Sequence, residues 1–292
     1  NKNNFSIINF LKIYSEDKLA LFFLISLIII LGLVIFGPLI TLQNPYDLSQ
    51  LNILDSLLPP LSEAYENNYF LLGTDDQGRD LLSAIIYGLR ISLYVGILSV
   101  IISLIVGIIL GVVSAYFGGF VDNFIMRVAD MVLAMPSFLI ALVLLSILGR
   151  GLENVVFALV MSQWATFARV IRSSALSEKE KDYFYSARCL CLPQSRIIFG
   201  HLLPNCLPPI IVLSTINLAF AITLEASLSF LGVGLPITEP SIGLIISNGY
   251  EYIIVGKYWM SLYPGLFLLI TVVSINIFSD RLRILLNPRL NI

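Results

Sequence analysis

Charge is what this sequence has least of. Asp, Glu, Lys and Arg make up 12% of its 292 residues, against roughly 25% in soluble globular domains, while 58% are hydrophobic and the mean hydropathy is +0.91. That balance excludes an ordinary water-soluble enzyme. It also excludes disorder, which needs low hydrophobicity and high net charge. A net charge of −2 leaves no basic field to attract nucleic acid. Histidine occurs once, at His201, so there is no H-E-x-x-H and no credible Ser-His-Asp set, and His201 reads as a structural residue or a contact. The three cysteines, Cys189, Cys191 and Cys206, are too few and too oddly spaced for a disulfide framework or a C-x-x-C site. They read as small apolar fillers near a helix end. A G-x-x-x-x-G-K-[ST] phosphate loop is missing as well: Gly256-Lys257 is followed by Tyr258, which cannot take the Mg²⁺ role of Ser or Thr. No catalytic and no metal-ligating residue is therefore assigned, and no cofactor is expected on this chain. Any ATP-driven work must draw its energy from another one.

What the sequence has instead is long apolar runs. A bilayer core about 30 Å thick takes roughly 20 helical residues. Leu19–Ile40 carries no charge and is too long for a signal-peptide apolar region. Further spans are expected over about Ile85–Phe117, Phe124–Leu148, Asn154–Ile171, Leu207–Leu231 and Met260–Ile277. The second exceeds the bilayer thickness, so it tilts or projects. Its Gly96, Gly107 and Gly111 have the small-residue spacing that lets membrane helices approach. Pro136 interrupts the third and is expected to kink it. The prediction is an all-α integral membrane protein of six spans.

Lysine and arginine set its orientation, because they stay on the cytoplasmic side. With the N-terminus inside, thirteen of the 17 fall in cytoplasmic segments, and only Arg79, Arg90, Arg150 and Lys257 fall outside. Both termini are then cytoplasmic. The chain divides into an N-terminal cytoplasmic segment (1–18), a first span (19–40), an extracytoplasmic loop (41–84) and a five-helix core (85–292). The outer loop holds seven acids, Asp47, Asp55, Glu63, Glu66, Asp75, Asp76 and Asp80. It is either a solvated acidic loop or a surface that docks something delivered from outside.

The cytoplasmic insert between Arg172 and His201 holds eight charged residues. Ser177 and Glu180 have capping-box spacing, so a helix is expected to begin there. Asp182–Leu190 is helix-compatible, and Pro193 breaks it or starts another short helix. Two short helices on the inner face would suit a partner protein. Among intramembrane ionisable residues Glu225 stands out, as a pathway-lining or gating group or as a satisfied structural carboxylate. Arg127 and Asp130, three apart, suggest a helix-face ion pair.

The insert resembles a known signature. The run Asp182-Tyr183-Phe184-Tyr185-Ser186-Ala187-Arg188-Cys189-Leu190-Cys191, continuing to Arg196-Ile197-Ile198-Phe199-Gly200-His201-Leu202-Leu203-Pro204-Asn205, is similar to the E-A-A…G…I-L-P segment of ATP-binding-cassette importer permeases, in particular the dipeptide, oligopeptide and nickel subfamily. Gly73–Asp80 with Tyr87–Leu93, Glu225–Gly232 and Asn287–Leu290 resemble three further blocks of that subfamily, in order along nearly the whole chain. The departures are specific. Tyr185 stands at the signature glutamate, Ser186 at its first alanine and Cys191 at its glycine, where glycine would permit a left-handed turn. Asn287 replaces the usual acid of the tail, and Ala84 a common arginine.

The resemblance implies a type I importer permease in a bacterial cytoplasmic membrane. Short cytoplasmic coupling helices lie between spans four and five, in a segment covering 172–204. They would seat in a groove of an ATPase subunit, with Tyr185, Ser186, Ala187, Arg188, Leu190, Cys191, Leu192 and Pro193 as the coupling residues. Leu190 or Leu192 would be the apolar knob and Arg188 its rim. Implied partners are a second, homologous permease in a heterodimer, two cytoplasmic ATPases that use ATP and Mg²⁺, an extracytoplasmic binding protein, the peptide substrate and the bilayer. Glu225 and Pro136 are the candidate pathway residues. A nickel or other small-solute importer is the alternative within the family. A self-sufficient secondary carrier, or a membrane protein that does not transport, are the alternatives outside it.

Overall fold

The computed structural model describes residues 17–47, 49, 51–63, 65, 69–236, 238–239 and 241–286. Glu66, the N-terminal segment through residue 16 and the Asn287–Leu290 block lie outside the described residues. The first helix, α1 (Lys18–Ile40), starts at Asp17, whose carboxylate accepts from the Leu19 and Ala20 amides at 2.9 and 3.3 Å. This side-chain cap satisfies amides that have no intrahelical partner. Only a narrow stripe of α1 is buried, including Leu27, Ile30 and Val34, whereas Phe22, Ile28 and Ile35 point outward. An apolar surface with its backbone fully bonded suits hydrocarbon.

After a short outer segment come α2 (Leu81–Phe117), α3 (Gly119–Leu133), α4 (Ser137–Leu148) and α5 (Leu152–Lys179). At 37 residues, α2 is about 55 Å long and projects well beyond a bilayer core. Gly118 and Gly119 then reverse the chain at φ +65° and +54°, left-handed values that side chains disfavour. The third predicted span is two helices, not a kinked one: α3 and α4 meet at 88°. Pro136 has no N–H to continue the ladder, and its ring disfavours the helical conformation at Met135. The Pro136 carbonyl instead accepts the Leu139 and Ile140 amides and opens α4.

Beyond α5 lie α6 (Asp182–Cys189), α7 (Gln194–Ile197), a π-helical turn (Ile198–Leu202), α8 (Leu203–Phe230), α9 (Ile242–Tyr250) and α10 (Trp259–Leu286). Among the described residues five helices are long and apolar enough to cross a membrane, or six spans if α3 and α4 count as one. The Gly- and Pro-rich stretch before α10 holds α9, which the hydropathy pattern does not reveal.

Two large apolar clusters hold the bundle, and a smaller one around Ala129 and Ala165 seats α3 on α2 and α5. Of the large pair, one joins α2, α4, α5 and α8 around Val95, Leu159, Phe167, Ile171 and Ile210. The other joins α1, α2, α8, α9 and α10 around Ile30, Ile85, Ile222, Ile242 and Ile275. The small-residue spacing of α2 has the expected effect. A Cβ on Gly107 would lie 2.3 Å from the Phe167 Cβ, one on Gly111 2.7 Å from the Ala168 carbonyl oxygen, and one on Gly96 2.9 Å from Ile222.

Polar contacts show which helix ends share a side. Asp17 at the start of α1 pairs with Arg281 near the end of α10. The Lys179 ammonium at the end of α5 donates to the Ala115 carbonyl near the end of α2. At the other end, Gly151 donates to Gly234, Lys257 to the Leu57 carbonyl and the Trp259 indole to the Thr74 carbonyl.

The acidic loop before α2 is not simply solvated, because three of its acids, Asp55, Asp75 and Asp80, are buried. Asp75 binds the Arg79 guanidinium at 2.6 Å with both side chains nearly covered. Asp55 is buried and accepts the Tyr65 amide at 2.8 Å. Asp80 caps α2 by accepting the Ser83 amide at 2.9 Å. With the small hairpin of β1 (Ser62–Glu63) and β2 (Tyr69–Phe70), these contacts make a compact cap.

Candidate coupling surface

The predicted helix start at Ser177 does not occur. Ser177 lies inside α5, which runs on to Lys179. Its neighbour Glu178 anchors the next helix. One carboxylate oxygen accepts the Lys181 ammonium at 2.6 Å and the other the Tyr183 hydroxyl at 2.8 Å. Burial and this bond to a carboxylate push the pKa of the Tyr183 hydroxyl up to about 12. The first turn of α6 is thereby tied to the last turn of α5.

Phe184 and Ala187 face inward from α6 and join the main core. Tyr185, Ser186, Arg188, Cys189 and Leu190 face outward, with Tyr185 55% and Leu190 73% exposed. The Ser186 hydroxyl returns to the Asp182 carbonyl at 2.9 Å. Leu192, the other candidate knob, packs against the chain's own core. Leu190 is thus the free apolar tip, with Arg188 beside it and Pro193 three residues further on.

The turn after α6 accounts for the most conspicuous departure from the signature. Cys191 takes φ +50°, the left-handed conformation that glycine adopts most readily. Its amide donates to the Arg188 carbonyl at 2.9 Å, and the Leu192 amide donates to that of Ala187 at 3.3 Å. These are the two bonds of a Schellman C-cap. The substitution keeps the turn and adds strain. Cys189 and Cys191 are exposed, and Cys206 alone is a buried filler, so the expectation of three apolar fillers is corrected.

Pro193 then precedes α7, and its carbonyl accepts the Arg196 and Ile197 amides. The π-turn delivers the chain into α8, where the Leu203 amide bonds the Ile198 carbonyl. Pi-turns inside helices are frequent at functional sites. His201 sits in this turn, and its backbone carbonyl accepts the Asn205 side chain at 2.7 Å. Nearby, Asp122 of α3 receives the Arg172 guanidinium through both oxygens, at 2.5 and 2.6 Å, and the Ser114 hydroxyl as well. Asp130 pairs with Arg169 of α5 rather than with Arg127. The sequence offered no signal for either inter-helix pair.

Far from this end, Glu225 is fully buried. Its carboxylate accepts the Ser92 hydroxyl at 2.6 Å and the Ser229 hydroxyl at 2.7 Å. Gly243 of α9 packs so closely that a Cβ would sit 2.1 Å from the Ala226 carbonyl oxygen. Both oxygens of the Glu225 carboxylate are therefore hydrogen-bonded within the chain. Pro136 is exposed at the α3–α4 bend. No group of three or more His, Cys, Asp or Glu able to hold a metal occurs among the described residues.

Residues 103–292 match the family of binding-protein-dependent transport system inner membrane components. The chain belongs to this family. Residues 9–60 match the N-terminal transmembrane domain of oligopeptide transport permease C. A dipeptide transport system permease of Haemophilus influenzae is 36% identical over 95% of this chain and 92% of its own. A di/tripeptide transport system permease of Pseudomonas aeruginosa is 37% identical over 95% and 90%. An oligopeptide transport system permease of Bacillus subtilis is 33% identical over 95% and 88%. Among solved structures, an inward-facing methionine ABC transporter matches with a TM-score of 0.56 at 18% identity, over 70% of this chain and 96% of that one. At that identity the likeness is one of fold. The permease is accordingly a multi-pass inner-membrane component of an ATP-binding-cassette importer, and ATP hydrolysis lies outside the permease family itself.

Proposed function

We propose that this chain is a permease subunit of a bacterial peptide importer, and that α6 and the turn after it are the surface through which an ATPase moves it. The supporting observation is the α5–α6 corner. Glu178 clasps Lys181 and Tyr183, Phe184 and Ala187 root the helix in the core, and Leu190 projects beside Arg188. A rooted helix with a free apolar tip transmits a push. A flexible loop would absorb it. Burying Leu190 in a partner's groove contributes about 1.5–3 kcal/mol, enough to make it an anchor.

On this reading the chain has six spans, counting α3 with α4, and both ends are cytoplasmic. The 1–18 segment and the 172–204 coupling segment are then inside, and the 41–84 cap is outside beneath a binding protein. A second, related permease completes the passage, and two ATPase subunits bind the ATP and Mg²⁺. ATPase closure shifts the corner and with it the inner ends of α5 and α8, biasing a bundle with two packings. Pro136, at the α3–α4 break, flexes beside the passage. Glu225 fastens α8 to α2. The relatives favour peptides over nickel or another solute as cargo.

The test is the double substitution R188D/L190D in the assembled transporter. Peptide uptake falls at least tenfold, while membrane insertion and the ATPases' own hydrolysis persist. Uptake at the normal rate contradicts the assignment.

A further inference from the structure

A cleft of about 530 Å³ opens at the end of the bundle that carries the coupling corner. Its volume lies in the range of small-molecule sites, roughly 300–1,000 Å³. One wall is a stripe of α5, Val170, Ser174 and Glu178, at helical i, i+4, i+8 spacing. The facing wall is a stripe of α8 that includes Asn205, Pro208 and Pro209, and Arg283 and Leu286 of α10 close the third side.

The charges in it are of both signs and sit on different helices. Glu178 is nearly buried. One of its oxygens accepts Lys181 and the other Tyr183, which leaves lone pairs for a further donor. Arg283 is exposed and makes no ion pair among the described residues. Between them the cleft is apolar, with Ser174 and Asn205 as neutral polar groups. Pro208 and Pro209 have no N–H, so neither donates a backbone hydrogen bond into the cleft. An anionic ligand would meet Glu178, and a cationic one would meet Arg283. A purely apolar one would leave both charges desolvated and unpaired.

We infer that this cleft binds a short zwitterion, its ammonium toward Glu178, its carboxylate on Arg283 and its apolar body against the proline face. Free amino acids and short peptides share that chemistry. The same carboxylate holds the coupling helix, so a ligand ammonium bound there shares it with Lys181 and Tyr183. If the chain serves a peptide importer, as proposed above, the ligand is a product arriving on the cytoplasmic side. The cleft itself does not depend on that assignment.

The test is equilibrium binding of radiolabelled dialanine to the whole transporter in nanodiscs, both faces accessible and no binding protein present, with peptide uptake by the same preparation measured separately in vesicles. Binding is expected to saturate. Unlabelled dialanine should displace it, and its N-acetylated amide, which lacks both charges, should not. R283A should weaken binding about tenfold or more, the usual cost of losing a charge-assisted hydrogen bond, with R283K recovering most of it. Alanine and dialanine as competitors tell amino acid from peptide, and either one displacing the label upholds the site. Absence of saturable binding, equal displacement by the neutral amide, or binding unchanged in R283A overturns it. Uptake intact in that case leaves the importer assignment standing, whereas binding without uptake separates the two the other way.

Discussion

Single residues in this permease impose constraints that composition does not announce. Cys191 is the clearest. A signature glycine is absent, yet the backbone adopts the left-handed turn regardless, because the two Schellman bonds and the packing of Leu192 and Ala187 fix it. Left-handed backbone costs a side-chain-bearing residue roughly 1–2 kcal/mol. C191G should therefore stabilise the coupling corner by about 1 kcal/mol, seen as slower amide exchange at Leu192 with uptake retained. Faster exchange would show that the thiol makes a compensating contact.

Asp76 carries a second prediction. Burial, and then the neighbouring Asp75 carboxylate, raise it above the usual carboxylate range, and its Oδ1 is buried without a partner. A raised folded-state value favours the protonated form, so its stabilising contribution is present at low pH and lost as pH rises through the folded value. At neutral pH the ionised group is a cost. D76N should protect the outer cap at neutral pH, and that advantage should vanish as the solution is acidified through the carboxylate range. Hydrogen exchange at the Thr74 and Arg79 amides reads both arms.

Elements were legible in proportion to how far hydropathy alone determines them. The long helices α1, α2, α5, α8 and α10 follow from apolar runs; their starts lie one to four residues further out, as where Asp17 and Asp80 cap them, while α5 and α10 run eight and nine residues past the expected ends, into polar sequence that hydropathy does not count. The α3–α4 break was visible as Pro136 but not as an 88° turn, since its size depends on what the two halves pack against. The short α9 is fixed by Ser241 capping and by the close approach of Gly243 to Ala226, which no periodicity reveals. Helix α6 was legible as a segment, while its anchor was not. Glu178 was only one charge among eight until its bonds to Lys181 and Tyr183 were seen.

The helix contact of α2 on α5 is sensitive to a single methyl group. G107A places a Cβ 2.3 Å from the Phe167 Cβ and 3.0 Å from the Ala168 amide nitrogen, so the helices must part. Overpacking of this kind costs about 1–3 kcal/mol. The variant should unfold earlier in detergent, whereas alanine at Gly265, which meets nothing within 4 Å, should not.

For the whole molecule, thirteen basic residues against four are the sequence argument for a cytoplasmic N-terminus, and the contacts between helix ends group those ends into two sets. Asp17 with Arg281, and Lys179 with Ala115, gather at one end, while Lys257, Trp259 and the cap gather at the other. Cargo and partners lay beyond what hydropathy and charge could say. They became readable only through blocks of residues shared with a family, because specificity is not written in an apolar bundle.

Coupling to an ATPase requires the α5–α6 corner to face the cytoplasm, and its exposed Cys189 and Cys191 make that measurable without new cysteines. A membrane-impermeant maleimide applied to intact cells should leave both unlabelled. Applied to inside-out vesicles it should label them, and an excess of the ATPase subunits should block the reaction. Labelling from outside the intact cell, or labelling in vesicles that the ATPases do not affect, would contradict a cytoplasmic coupling corner.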